Sequence, residues 1–212
     1  MPRSRERLYW TLGAIVVLGT WATLQWARSA AEWLRERDLI TETMWGIFAV
    51  AAGAVLLFVV RRRPHRLELA VLAAFGVLYL LAILPLMGRP EEALHFVQYG
   101  LVGGLFYAAL VERRAQWAAG GAAGGAAGRE AAAGAEARPR TWLAWPGAAA
   151  LAAFLMTGAA GWIDEGIQHL LPERVYDLRD VGFNAAAGAL AIAAIACRRW
   201  ARERPRLVVE GG

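Results

Sequence analysis

The sequence predicts an all-α fold: a polytopic membrane bundle of about six transmembrane helices with both termini in the cytoplasm. Three observations carry that expectation. Hydrophobic residues make up 58% of the 212 positions and charged ones 19%, against about 45–50% and 25% in ordinary soluble domains. The apolar residues fall in runs of helix-spanning length that lack the amphipathic period of a soluble helix. The cationic residues, all arginine with no lysine among them, collect at the ends of alternate runs, as the preference of cytoplasmic loops for positive charge requires.

Taken in order, Arg3, Arg5 and Arg7 precede a first span from Leu8 to about Ala27. A basic head before an apolar run is also the pattern of a secretory signal. This run is longer than a typical signal core, however, and carries Trp10, Trp21 and Trp26, so it reads as an uncleaved helix with Trp10 and Trp26 as interface anchors. Residues 28–43 are polar, with Trp33 and Leu34 suited to a short helix on the membrane surface. Met44 to Val60 is the second span, stopped by Arg61-Arg62-Arg63-Pro64-His65-Arg66. That run reads as a topology anchor rather than a phosphate site.

Leu67 to about Met87 is the third span, with Pro85 placed to kink its end. Gly88-Arg89 turns the chain, and Pro90 suits the first position of the next helix, where Glu91 and Glu92 favour an N-terminus. The fourth span is Ala93 to Val111, with Gly100, Gly103 and Gly104 forming a smooth face for close packing. Glu112 to Arg140 is rich in Gly and Ala and reads as a mobile cytoplasmic linker. Trp142 to Trp162 is the fifth span and Val181 to Cys197 the sixth, closed by Arg198, Arg199, Arg202, Arg204 and Arg206.

The expected organisation is a two-span region over 1–66, a membrane core over 67–111 and 142–197, a linker over 112–141 and a basic tail over 198–212. Seventeen of the 23 arginines then lie on the cytoplasmic side, and Arg28, Arg35, Arg37, Arg89, Arg174 and Arg179 on the other. The basic balance is thereby accounted for by topology. No basic–aromatic groove pattern points to nucleic acid. Cys197 is the lone cysteine, so no disulfide framework or cysteine-based zinc site is expected.

The stretch GWIDEGIQHLLPERVYDLRDVGFNAAAG, from Gly161 to Gly188, breaks the apolar pattern. An ionisable group at the bilayer centre costs roughly 2.5–3.5 kcal/mol on insertion scales, so such a cluster needs water, mutual pairing or a ligand. Asp164 and Gln168 are four apart, as are Glu165 and His169, and Asp180 and Asn184. His95 and Tyr99 make a similar pair at the head of the fourth span. Pro172 ends any helix begun near Asp164. Arg174 then either pairs with Asp164 or Asp180, or clamps a substrate phosphate with its guanidinium fork. His95, Asp164 and Glu165 are the candidates for proton transfer. Tyr99, Gln168, Arg174, Asp180 and Asn184 are the candidates for holding a substrate. No cofactor is expected; a metal held by His95, Asp164, Glu165 and His169 is chemically allowed, although no HExxH pattern is present.

These motifs resemble those of the VanZ-like family of bacterial integral membrane proteins. The resemblance rests on His95-Phe96-Val97-Gln98-Tyr99, Asp164-Glu165-Gly166-Ile167-Gln168, Pro172-Glu173-Arg174 and the Asp180 to Asn184 spacing, over roughly Leu67 to Cys197. The chain departs from the family pattern at Gln98, where Glu is common, at Glu173, where Gly is common, and at Ala187, with Gly188 one residue later. The resemblance implies a cell-envelope role, in a family named for a protein linked to resistance to the glycopeptide teicoplanin. It supplies no reaction.

Three functions remain open on the sequence. The leading one is an extracytoplasmic pocket that binds or processes an anionic envelope lipid or a lipid-linked glycan precursor. The second is a non-enzymatic scaffold whose polar cluster is a structural network. The third is a small transporter, which ranks last because its acids lie near span ends rather than at the midplane.

Overall fold

The computed structural model describes residues 2–88, 90–123, 147–170 and 177–203, and these residues form helices and short turns only. The helices are α1 (Pro2–Arg35), α2 (Ile40–Arg62), α3 (Arg66–Ile83), a 3-10 turn (Leu84–Gly88), α4 (Pro90–Ala123), α5 (Ala148–His169) and α6 (Leu178–Glu203). Four are long and apolar enough to cross a membrane: α2, the α3 region through Leu86, α4 from Glu92 to Trp117, and α6. A fifth joins them if the bent pair Ser4–Leu24 and Ser29–Arg35 is one span. α5 is not among them, because its last turns carry Asp164, Glu165, Gln168 and His169.

Local sequence explains most of the boundaries. The first helix ends in a turn where Leu39 N–H donates to Leu34 carbonyl at 2.9 Å and Asp38 takes φ 55°, the left-handed conformation in which many helices end. Arg63 takes φ 44° after α2, and Pro64 next to it cannot continue a helix. Nδ1 of His65 then accepts from Glu68 N–H and caps α3. The α-helical part of α3 stops two residues before Pro85 and tightens into the 3-10 turn, as Pro85 suggested. α4 begins at Pro90, as expected of proline at the first helical position. Asp177 caps α6 by accepting Arg179 N–H on Oδ1 at 2.8 Å.

Several helices outrun their expected spans: α1 runs to Arg35 rather than Ala27, and α6 from Leu178 to Glu203 rather than Val181 to Cys197. The fourth helix does not stop at Val111 but runs on to Ala123. Glu112, Arg113, Arg114, Ala115 and Gln116 are all strong helix formers, and Arg113 Nε meets Glu6 Oε1 at 2.6 Å. Residues 124–140 of the expected linker lie outside the described residues. The fifth helix does not stop at Trp162 either: it continues to His169, three residues before Pro172, because no breaker intervenes.

The chain divides into two compact units. The first comprises Met1–Ala22 and Gln98–Ile192; the second comprises Thr23–Val97 and Ala193–Gly212. In the first, α1 lies antiparallel to α4. Glu6 pairs with Arg113, the Trp10 and Phe106 rings meet at 5.6 Å with a 39° tilt, and a Cβ on Gly13 would come within 2.8 Å of the Phe106 ring. In the second, Arg198 Nε donates to the buried Glu68 Oε1 at 2.7 Å, and the Arg198 and Arg62 guanidiniums lie over Phe58. Tyr79 meets Phe96 edge to face at 5.2 Å.

Large apolar side chains face outward on every long helix: Val50, Val55, Leu56, Leu57 and Val60 on α2, Leu78, Leu80 and Leu81 on α3, Leu151 and Leu155 on α5. A continuous apolar exterior of this kind is unstable in water and suits hydrocarbon. The architecture is that of a membrane protein.

Candidate functional site

α5 is an inside-out helix. Its buried face is Thr157, Ala160, Gly161, Asp164, Glu165 and Gln168, at three- and four-residue spacing, while Trp162 (64% exposed), Ile163 and Leu170 face out. Asp164 is 0% exposed and Glu165 and Gln168 are each 2%. The polar residues turn inward because outward they would meet lipid, where each unsatisfied polar group costs several kcal/mol.

The close approach of three helices makes this possible. A Cβ on Gly103 of α4 would stand 2.8 Å from Cα of Gly188 on α6, and a Cβ on Gly188 would stand 2.7 Å from Cγ2 of Thr157 on α5. The Thr157 hydroxyl donates to its own helix at Ala153 carbonyl, 2.7 Å away, which leaves its methyl to fill the contact. One turn on, Cβ of Asn184 lies 2.9 Å from where a Gly161 Cβ would be. At the same level, Tyr99 of α4 donates its hydroxyl to Ala160 carbonyl at 3.2 Å. The Gly103 face expected for close packing is therefore used, and Gly188 is its partner.

Above these two layers sits the polar cluster. Nε2 of Gln168 donates to Asp164 Oδ2 at 3.2 Å and to Glu165 Oε1 at 3.3 Å. The Tyr99 hydroxyl is also in interaction range of Asp164, and the Trp21 indole nitrogen approaches it without a hydrogen bond of good geometry. Two carboxyl groups buried together need a proton, a cation or further donors to offset their mutual repulsion. Asn184 is 1% exposed, and its Nδ2 has no hydrogen-bond partner among the described residues.

Of the sequence candidates, the first unit thus gathers Tyr99, Asp164, Glu165, Gln168 and Asn184. Asp180 is half-buried in the first turn of α6. His95, one turn before Tyr99 on α4, is half-buried and belongs to the second unit. His169 is exposed on α5, and Arg174 lies outside the described residues. Among the described residues, no group of three or more His, Cys, Asp or Glu side chains is placed to hold a metal ion.

Sequence reasoning missed Thr157 and Gly161, which read as ordinary members of an apolar run. It also missed Glu68, whose signal was available: a single acid one residue inside the third apolar run.

No protein-family profile, curated protein or solved structure matches the chain. The class defined by fold and site is therefore an all-helical membrane protein with a buried carboxylate–amide cluster.

Proposed function

We propose that this is a VanZ-like protein of the bacterial cytoplasmic membrane, whose cluster binds or processes the head group of an anionic envelope lipid or lipid-linked glycan precursor. The observation that carries the reading is the pair of carboxyl groups, Asp164 and Glu165, sealed between helices and joined by Gln168. Burial of two acids against apolar helices is costly, and costs of this kind concentrate at working sites. Arg174 holds the anionic part of the head group, and Asp164 and Glu165 carry any proton transfer. Tyr99, Gln168, Asp180 and Asn184 orient the bound group. No cofactor takes part in this scheme.

The membrane topology in this reading is six spans with both termini cytoplasmic and the cluster towards the extracytoplasmic side. Two ion pairs support it. Glu6–Arg113 joins the N-terminal tail to the end of α4, and Glu68–Arg198 joins the start of α3 to the end of α6. Each pair links segments that the arginine count assigns to the same side.

Labelling with a photoreactive polyprenyl phosphate tests the reading. The expected cross-links fall in the peptide containing residues 161–184 and disappear in folded Asp164→Asn and Arg174→Ala proteins. Labelling spread evenly over the lipid-facing helices, unchanged in both variants, would refute it. A second reading draws on the same hydrogen bonds: the cluster is a structural lock in a non-enzymatic scaffold. It predicts that the two variants fail to fold.

A further inference from the structure

We infer that the surface where α2 ends, α3 begins and α6 ends is a binding site for a phospholipid of net negative charge, its head group held by Arg62 and Arg198 and its acyl chains laid along α2. The site belongs to the second unit and does not rest on the cluster of α5. Two observations carry the inference. The first is positive charge in surplus at a fixed place. The Arg62 guanidinium stands 5.2 Å from the centre of the Phe58 ring, and that of Arg198, from α6, stands 5.5 Å from the same ring. One carboxylate answers the pair: Glu68, 4% exposed, accepts from Arg198 Nε at 2.7 Å. Arg62 is exposed and meets no carboxylate among the described residues. The flanking chain adds to the imbalance, since residues 61–68 and 198–203 hold seven arginines against Glu68 and Glu203. A topology anchor needs charge at the end of one helix only. Here a guanidinium from a distant helix is brought to the same ring and fixed there by a buried acid.

The second observation is the surface next to these arginines. Val55, Leu56 and Val60 of α2 are 61–62% exposed, and Phe58 is 44% exposed. Apolar surface thus runs directly into unneutralised guanidinium. An arginine stacked on a ring keeps its edge N–H groups for an acceptor, and its planar fork matches a phosphate. A ligand that is apolar at one end and anionic at the other covers both parts, and basic surfaces between membrane helices hold such head groups. An acidic protein segment would meet the arginines but leave the apolar face of α2 bare. A zwitterionic lipid would cover that face but set its own cation against the arginines.

The test titrates the full chain, stripped of lipid in detergent, with phosphatidylglycerol and with phosphatidylcholine of the same acyl chains, read by native mass spectrometry. Wild type is expected to hold phosphatidylglycerol about tenfold more tightly. Arg62→Gln, at an exposed helix end, is expected to lower that preference about fivefold, the weight of one arginine at an anionic membrane surface. Arg37→Gln removes the same charge at the opposite end of α2 and is expected to leave the preference unchanged. Glu68→Gln keeps the shape, leaves Arg198 unneutralised and is expected to raise the preference; it decides the matter if Arg62→Gln does not fold. Equal affinity for the two lipids in wild type overturns the inference in favour of a plain topology anchor. Equal losses in Arg62→Gln and Arg37→Gln, or no rise in folded Glu68→Gln, overturn it as well. A phospholipid that stays on Asp164→Asn and leaves Arg62→Gln belongs to this site, so the head-group reading of α5 stands or falls separately.

Discussion

One amide nitrogen, Nε2 of Gln168, donates to two carboxyl groups that are themselves three and four residues back on the same helix. The arrangement follows from helix geometry, since residues three and four apart share a face. Half of it was legible: the Asp164–Gln168 spacing was visible in the sequence. Gln168 also reaches Glu165, three residues back, and Glu165 and His169, the other two residues four apart, have opposite exposures, Glu165 buried and His169 exposed. The helix turns three of its four polar side chains inward and leaves His169 outside. Gln168→Leu removes the shared donor while keeping the volume. It is expected to lower stability by about 1–3 kcal/mol, the cost of leaving buried acceptors unsatisfied, read as a fall in the thermal unfolding midpoint in detergent. An unchanged midpoint would mean that the carboxyl groups find sufficient donors elsewhere.

At the scale of elements, the cluster exists because α4 and α6 meet backbone to backbone at Gly103 and Gly188, and α5 packs against α6 through Thr157 and Gly161. Gly103, Gly188 and Gly161 leave no room for a Cβ without displacing Gly188 backbone, the Thr157 methyl or Asn184. Gly188→Ala is expected to cost about 1–3 kcal/mol through overpacking. Gly182→Ala, on the same helix with nothing within 4 Å, is expected to be neutral or to stabilise by up to about 1 kcal/mol. Denaturation of the two variants side by side reads the difference. Adding Thr157→Ser to Gly188→Ala removes the opposing methyl and recovers part of the loss, a coupling that a double-mutant cycle measures. The glycine face of α4 was readable from Gly100, Gly103 and Gly104. Its partners were not, because a single sequence does not say which helix meets which. The same limit hid the Glu68–Arg198 contact, which joins residues 130 positions apart.

For the whole molecule, composition and hydropathy announced the all-helical membrane class, and the outward-facing apolar residues of α2, α3 and α5 agree with it. Of the six expected spans, four helices among the described residues pass on length and apolarity, with a fifth as a bent pair. α5 departs for a physical reason: a helix that buries Asp164, Glu165 and Gln168 is lipid-compatible on its outer face only, which its average hydropathy does not reveal. The central claim is that this inward face is a binding site rather than a brace. Native mass spectrometry of gently extracted wild type beside Asp164→Asn and Arg174→Ala tests it most directly. The account predicts a lipid adduct on wild type and its loss from both variants, which remain folded. A wild type that carries no selective adduct, or variants that keep it, would contradict the account.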